Sequence, residues 1–426
     1  MISLLLGIMV VFLVLGFPML LAMLVAPLAV LLVYYPAINP TLLVQQIISG
    51  MTPFVLLTIP MFIFAADVMG QGKMADRLLG FVGSLVGHVH GGMAITAGGT
   101  CTIFGAISGS GQATLVAVGK PMFKPMAKLG YSIPHVIALL MNNATIAILI
   151  PPSMCMILFC ISTGVSVGEM FMAGFAPGLL MFVLYGTYEY FYARYRKIQT
   201  TPRMSFKQIL TALKEAIIPL GFPVIVLGGI YSGFFSPTES AAVSCIYAIV
   251  CVMFIYRSLT LRDLGKIALS TGLVTGTVLV LAAAGQAFSW LITYARLPQV
   301  ITEGLLGSDP SGIRVLATLS IIMAIACMFV DSVPVIIIMA PIFYPVAVQA
   351  GVNPIHLGIV FTIQAAIGCV TPPFGCNIFT ACGIFNQSFM EVIKGLVPYL
   401  LINILISVIL IFSPEVALLS RNLFYG

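Results

Sequence analysis

The sequence predicts an all-α polytopic membrane protein made of two inverted repeats, each with five transmembrane helices and one re-entrant hairpin. Three observations carry this. Hydrophobic residues make up 61% of the chain and charged residues 7%, against about 45–50% apolar and about 25% charged in a soluble domain. Pro121-Met122-Phe123-Lys124-Pro125 recurs as Pro341-Ile342-Phe343-Tyr344-Pro345, and Ile150-Pro151-Pro152 recurs as Thr371-Pro372-Pro373. Finally, the few basic residues fall almost entirely on one side of the topology that this repeat implies.

Each element follows from length and punctuation. A membrane helix needs about 20 apolar residues, whereas a β-barrel would show short alternating strands. The N-terminus lacks a basic leader and runs straight into apolar sequence, so the first segment is expected to stay in the mature protein. The second half divides into spans near 217–235, 238–256 and 266–292, a broken region at 313–345, and spans near 354–383 and 388–413, with 414–426 as a tail. An offset of 220 pairs Gly87 with Gly307, Gly92 with Gly312 and Ala127 with Ala347. After one inserted residue, 221 pairs His135 with His356, Cys155 with Cys376, Gly174 with Gly395 and Pro177 with Pro398.

Shifted back by that offset, the pattern splits residues 2–35 at Gly16-Phe17-Pro18 into two short helices. It then gives one helix at 46–70, a broken region at 93–125, and spans at 134–162 and 168–193. The repeats are thus 1–193 and 217–413. Residues 1–70 and 217–292 are the leading helices, 93–193 and 313–413 hold the broken elements, and 194–216 is a linker. An odd number of crossings per repeat inverts the second copy. Within the linker, Ser205 to Lys214 has apolar residues at helical spacing, as does Leu261 to Ile267; both are expected to be helices in the membrane interface.

With both termini outside, all but Arg296, Arg314 and Arg421 of the 18 Lys and Arg residues, Lys73 included, fall inside. The net charge of +6 is therefore explained by topology and implies no nucleic-acid partner. All nine cysteines sit in apolar stretches, and Cys155/Cys160 and Cys376/Cys382 lack CxxC spacing, so packing is expected of them.

The polar breaks carry the chemistry. Ser108-Gly109-Ser110-Gly111 lies between two apolar arms and suits the tip of a hairpin, where hydroxyls and free carbonyls can coordinate a hard cation. A polar loop or a small-residue packing motif is the alternative. The corresponding tip holds Asp331-Ser332-Val333-Pro334. An acid costs about 2.5–3.5 kcal/mol at the centre of a membrane helix, so Asp331 should face a cavity, a partner or an ion. A helix N-cap fits the same residues.

Each hairpin is followed by a span interrupted by a double proline, with Asn142-Asn143 before Pro151-Pro152-Ser153 and Gln364 to Gly368 before Thr371-Pro372-Pro373. Unwinding there frees carbonyls for a cation and exposes a half-helix N-terminus to an anion; a simple proline kink is the alternative. Ser236-Pro237-Thr238-Glu239 is a capping box, which makes Glu239 structural. Asp67 near a helix end fits snorkelling. His88 and His90 fall in a loop, and His135 and His356 lack metal-ligand spacing. Arg296 and Arg314 fit either an anionic ligand or interfacial anchoring. An enzyme would need clustered acid, base, nucleophile or metal ligands, which these sparse charges do not supply.

Gly105-Ala106-Ile107-Ser108-Gly109-Ser110-Gly111, Pro151-Pro152-Ser153, Pro237-Thr238-Glu239-Ser240-Ala241-Ala242 and Asn353-Pro354-Ile355-His356-Leu357-Gly358 leading into Thr371-Pro372-Pro373-Phe374-Gly375 resemble the large membrane subunit of TRAP (tripartite ATP-independent periplasmic) transporters, over nearly the whole chain. The resemblance implies an elevator-type, Na⁺-driven importer in the bacterial inner membrane, with substrate delivered by a periplasmic binding protein. It also implies a smaller membrane subunit, expected as a separate chain. By that likeness one Na⁺ site lies between Ser108/Ser110 and Asn143/Pro151 and another between Asp331/Ser332 and Gly368/Thr371, with Ser153, Asn377 and Thr380 beside a carboxylate substrate. Sialic acid is the expected substrate. A C4-dicarboxylate, another sugar acid, or a stand-alone Na⁺-coupled divalent-anion carrier are the alternatives.

Overall fold

The computed structural model describes residues 1–71, 74–298, 300, 307 and 310–425; Lys73 lies outside them. The described residues are helical throughout, with no strand. Seven helices are long and apolar enough to cross a membrane, or nine if two bent pairs are each one span.

The N-terminal run divides as expected. Helix α1 (Ile2–Val14) and α2 (Met19–Tyr34) flank Gly16, whose φ of +76° is open to glycine and poor for other residues. The helix expected at 46–70 is instead two pieces, α3 (Thr41–Ser49) and, after a 3₁₀ turn, α4 (Thr58–Gly70), bent by 57°. Pro53 starts the break by disfavouring helical backbone at the preceding residue. Asp67 does more than snorkel: it is half-buried and accepts a 2.8 Å hydrogen bond from Thr271. Helix α5 (Met74–Val86) has no counterpart in the sequence reading. Met74, Leu78 and Val82 form its buried stripe, and its polar outer face hides it from a hydropathy scan.

The first broken region is a helical hairpin. Helix α6 (Gly92–Ser108) leads to a turn at Gly109, and α7 (Gly111–Thr114), a π-helical turn and α8 (Lys120–Lys128) return. Helix α9 (Ile133–Leu149) stays regular through Asn142 and Asn143, so the double-proline break is confined to 150–153 before α10 (Met154–Thr163). Helix α11 (Val167–Tyr195) completes the half.

Two boundaries differ from expectation. The interfacial helix placed in the 194–216 linker is the start of one continuous helix, α12 (Phe206–Tyr231), whose capping box is formed by Ser205 and Gln208. Helix α13 (Pro237–Ile249) begins at the Ser236/Glu239 capping box. Residues 261–267 are likewise the first turns of α14 (Leu261–Tyr294), which is 34 residues long. At 1.5 Å per residue α14 extends about 50 Å, well beyond the roughly 30 Å of hydrocarbon, so a helix can start in the interface and continue across.

The second half repeats the broken elements: α15 (Gly312–Phe329), the tip at Asp331, α16 (Ser332–Gln349), α17 (Pro354–Gly368), a break, α18 (Cys376–Phe385), short α19 (Phe389–Ile393) and α20 (Val397–Phe412). The tail folds into α21 (Pro414–Ala417) and α22 (Leu419–Tyr425) and docks on α11, where Ser420 donates to Met172 O and Arg421 pairs with Glu169 at 2.8 Å.

Burial ranks the helices. In the α9–α10 span 89% of the most apolar window is inside the bundle, against 22% for α12. The broken helices therefore form the centre, while α12 presents most of its apolar surface outward, as a lipid-facing helix does.

Candidate substrate and ion site

The two tips meet crosswise. Gly109 adopts φ +59°, and a Cβ there would run into the Pro152 carbonyl, so the first tip seats directly on the break of its own repeat. The next turn faces the other repeat: a Cβ on Gly111 would lie 3.3 Å from Asn377 Nδ2 at the start of α18. The second tip does the converse. Ser332 Oγ lies 3.8 Å from Cys155 Sγ at the start of α10. Its own break is tied to α15 by Phe374 N–H donating to Met328 O at 3.0 Å. Peptides Pro151-Pro152 and Pro372-Pro373 are both cis.

A cavity of about 380 Å³ lies where these parts converge, lined by both tips, by Cys155 and Cys376 at the starts of α10 and α18, and by Val274, Thr277, Val278 and Leu281 of α14. An adjoining cavity of about 330 Å³ shares Gln112, Asp331 and Ser332 and reaches Thr380. Cys155 and Cys376, read from sequence as packing residues, thus face the cavity; all nine cysteines are free.

The expected ion ligands separate into those brought together and those not. Ser108 Oγ pairs with Thr114 Oγ1 at 2.8 Å, and Ser110 caps α7 by accepting from Ala113 N–H, which gathers hydroxyls over Pro151-Pro152. Asn143 Oδ1 makes no hydrogen bond to that group. It sits beside Gly98, where a Cβ would lie 3.0 Å away. Gly98 precedes Ser108 by ten residues of α6, about 15 Å along the axis. The amide oxygen of Asn143 is buried without a partner, so it remains a hard oxygen at a separate position.

In the second break Gly368 abuts Cys327 of α15, and Thr371 Oγ1 donates to Ile367 O at 2.7 Å, which leaves hydroxyl lone pairs for a cation. Neither residue lines the cavities, whereas Asp331 lines both. The N-cap reading of Asp331 is realised: Oδ1 accepts from Val333 N–H at 3.0 Å. Because Gly368 is faced by backbone-proximal atoms, Gly368→Ala is expected to cost about 1–3 kcal/mol of overpacking, visible as a lower unfolding temperature in detergent.

The substrate candidates also divide. Asn377 is fully buried, lines the larger cavity, and has an Nδ2 without a partner. Thr380 lines the adjoining cavity, with its hydroxyl donating to Cys376 O at 2.9 Å. Ser153 is withdrawn: it is fully buried and its hydroxyl donates to Ile148 O at 2.5 Å, holding the break together instead of facing the cavity.

A buried polar seam behind the site was missed by sequence reasoning. His135 of α9 pairs with Glu189 of α11 at 3.0 Å, and Tyr399 of α20 donates to the same carboxylate. Tyr185 donates to Asn403 Oδ1, and Asn403 Nδ2 donates to Asn142 Oδ1 at 3.0 Å. Gln364 donates to Ser407 Oγ at 2.6 Å, and His356 meets Leu410 O at 2.7 Å. Tyr399, Asn403 and Ser407 make one face of α20, a polar stripe inside an apolar span that the four-residue spacing could have shown, and Leu410 adds only its backbone carbonyl.

A helical membrane bundle whose two hairpin tips close on paired helix breaks is a solute carrier in architecture. The family described as tripartite ATP-independent periplasmic transporter, DctM component, matches residues 6–416, and the chain belongs to it; it is a transporter permease and not an enzyme. It is 44% identical over 419 residues to the ectoine/5-hydroxyectoine TRAP transporter large permease protein UehC of Ruegeria pomeroyi, covering 98% of each chain. It is also 44% identical to the ectoine TRAP transporter large permease protein TeaC of Halomonas elongata, covering 96% of each. The C4-dicarboxylate TRAP transporter large permease protein DctM of Pseudomonas aeruginosa is 36% identical, over 87% of this chain and 86% of that one. The crystal structure of the Alcanivorax borkumensis YdaH transporter shares the fold, with a TM-score of 0.63 at 16% identity over 88% and 87% of the two chains. None of these relatives is named for sialic acid, so the expectation drawn from overall likeness is replaced.

Proposed function

We propose that this chain is the large permease of a Na⁺-driven importer for a small zwitterionic solute of the ectoine type. A periplasmic binding protein delivers the solute, and a separate small membrane subunit completes the assembly in the bacterial inner membrane, with both termini of this chain on the periplasmic side. The observation that carries the reading is the cavity where both tips and both half-helix starts face α14. The two ectoine relatives described above supply the solute class.

Movement is by elevator. Helix α14 packs on α2, α3 and α4, and α13 packs on α4, which fits a fixed scaffold. Helices α6, α11 and α17 pack on α9, and α17 packs on the second hairpin arms α15 and α16, which fits a moving unit that carries both tips. Na⁺ sits at the two breaks, with Ser108, Ser110 and the Pro151 carbonyl at one and Ser332, Gly368 and Thr371 at the other. These oxygen donors suit a hard cation.

In proteoliposomes holding both membrane subunits, ectoine with its binding protein is expected to accumulate under an inward Na⁺ gradient and to stop when choline replaces Na⁺. Ser108→Ala and Thr371→Ala are each expected to raise the Na⁺ concentration for half-maximal uptake. Uptake that ignores Na⁺ would remove the coupling. A C4-dicarboxylate, tested as succinate, is the competing substrate; among the described residues lining the two cavities no Lys or Arg is present to neutralise a dianion.

A further inference from the structure

We propose that Asp331 and Asn377 are the two poles of the solute site: Asp331 takes the cationic end of a zwitterion and Asn377, at the start of α18, takes its carboxylate. This rests on the reading of the chain as an importer of ectoine-type solutes and assigns how the site would recognise them.

Among the described residues lining both cavities, Asp331 is the one with a formal charge. Its Oδ1 is engaged by Val333 N–H. Asp331 is exposed at the tip, so its second carboxylate oxygen is open to a cation that enters the cavity. Na⁺ would need several oxygens around it; beside the Ser332 hydroxyl, the wall near Asp331 also carries the thiols of Cys155, Cys369 and Cys376 and the apolar Val333 and Pro334. A planar amidinium, the cationic group of ectoine, needs only the carboxylate, to which one ring N–H can donate a charge-assisted bond.

The opposite pole is built for an anion. Helix α18 has ten residues, and its first turn carries the positive end of the helix dipole. Asn377 adds a second and independent feature: at 0% exposure its Nδ2 has no protein acceptor, although it borders the cavity. A buried donor left without a partner costs about 1–3 kcal/mol, a debt that a bound carboxylate cancels. Gly111 leaves the approach to Nδ2 clear, since a Cβ there would stand 3.3 Å away.

The test is ectoine uptake by the complete assembly with its binding protein, measured against both ectoine and Na⁺. Asp331→Asn is expected to raise KM for ectoine about tenfold or more, the loss of one charge-assisted pair, with the Na⁺ dependence unchanged. Asn377→Asp, nearly the same shape, sets a carboxylate against a carboxylate and is expected to weaken ectoine more than Asn377→Ala does. Each variant is first checked for wild-type elution and for Na⁺-dependent thermal stabilisation, so a misfolded protein is not scored. Asp331→Asn that shifts the Na⁺ half-saturation while leaving KM for ectoine alone would make Asp331 an ion ligand and overturn its pole. Asn377→Asp that transports like wild type would overturn the other. Wild-type protein that carries succinate and no ectoine would instead remove the functional reading itself.

Discussion

Gly109→Ala is expected to abolish uptake in proteoliposomes while the purified protein still elutes as a folded species. Two independent penalties meet at this residue. Its φ of +59° is left-handed, which costs a non-glycine residue about 1–2 kcal/mol. The added methyl would also run into the Pro152 carbonyl, and backbone held by two consecutive prolines cannot step aside as a side chain could. The tip must therefore lift from the break, which separates the Ser108 and Ser110 oxygens from Pro151 and opens the cavity wall. The fold should survive, because α6 and α9 remain packed through the close approach of Gly105 to Ala147, further from the tip. Gly164→Ala is the control: that glycine is also left-handed, at φ +76°, but faces open space, so only the backbone penalty applies. Equal uptake by Gly109→Ala and Gly164→Ala would show that seating of the tip is not required.

Glu189→Ala should produce the largest loss of stability among the substitutions considered. Its carboxylate is 1% exposed and holds His135 and the Tyr399 hydroxyl, joining α9, α11 and α20. The His135 ring also stacks on Tyr192 with centroids 3.7 Å apart, so the imidazole cannot swing away to find another acceptor. Removing one member of a buried, hydrogen-bonded pair strands the others and costs about 3–5 kcal/mol. Thermal unfolding in detergent should show a clear drop, with Glu189→Gln intermediate because an amide oxygen can still accept from Tyr399. Unfolding at the wild-type temperature for Glu189→Ala would mean that the seam does not hold these helices together.

These two sites mark the boundary of what was legible. Gly109, Pro151-Pro152 and the Asp331 tip stood out because glycine, proline and an acid inside apolar sequence each disturb a helix locally, and a local disturbance is written in a few consecutive residues. Glu189 and Asn403 were as visible in principle, as polar residues inside apolar helices α11 and α20. They were overlooked because neither lies at a break. Helix α5 escaped for the opposite reason, since its apolar stripe is too short and too polar on its outer face to register as a span.

The sequence by itself determined the helical class, the membrane setting, the split at Gly16, both hairpin tips and both double-proline breaks. Only the tertiary structure decided how these parts combine. Ser332 meets Cys155 across 177 positions of the chain, and Gly111 faces Asn377 from the other repeat. The Asn143 side chain, which sequence likeness joined to Ser108, faces Gly98, ten residues back along α6. Ser153 turns inward to mend its own break. Helix propensity and proline sterics act over a few residues and can be read along the chain. Which unwound carbonyl, thiol or amide then faces a cavity depends on packing between distant helices, and that is settled only when the bundle closes.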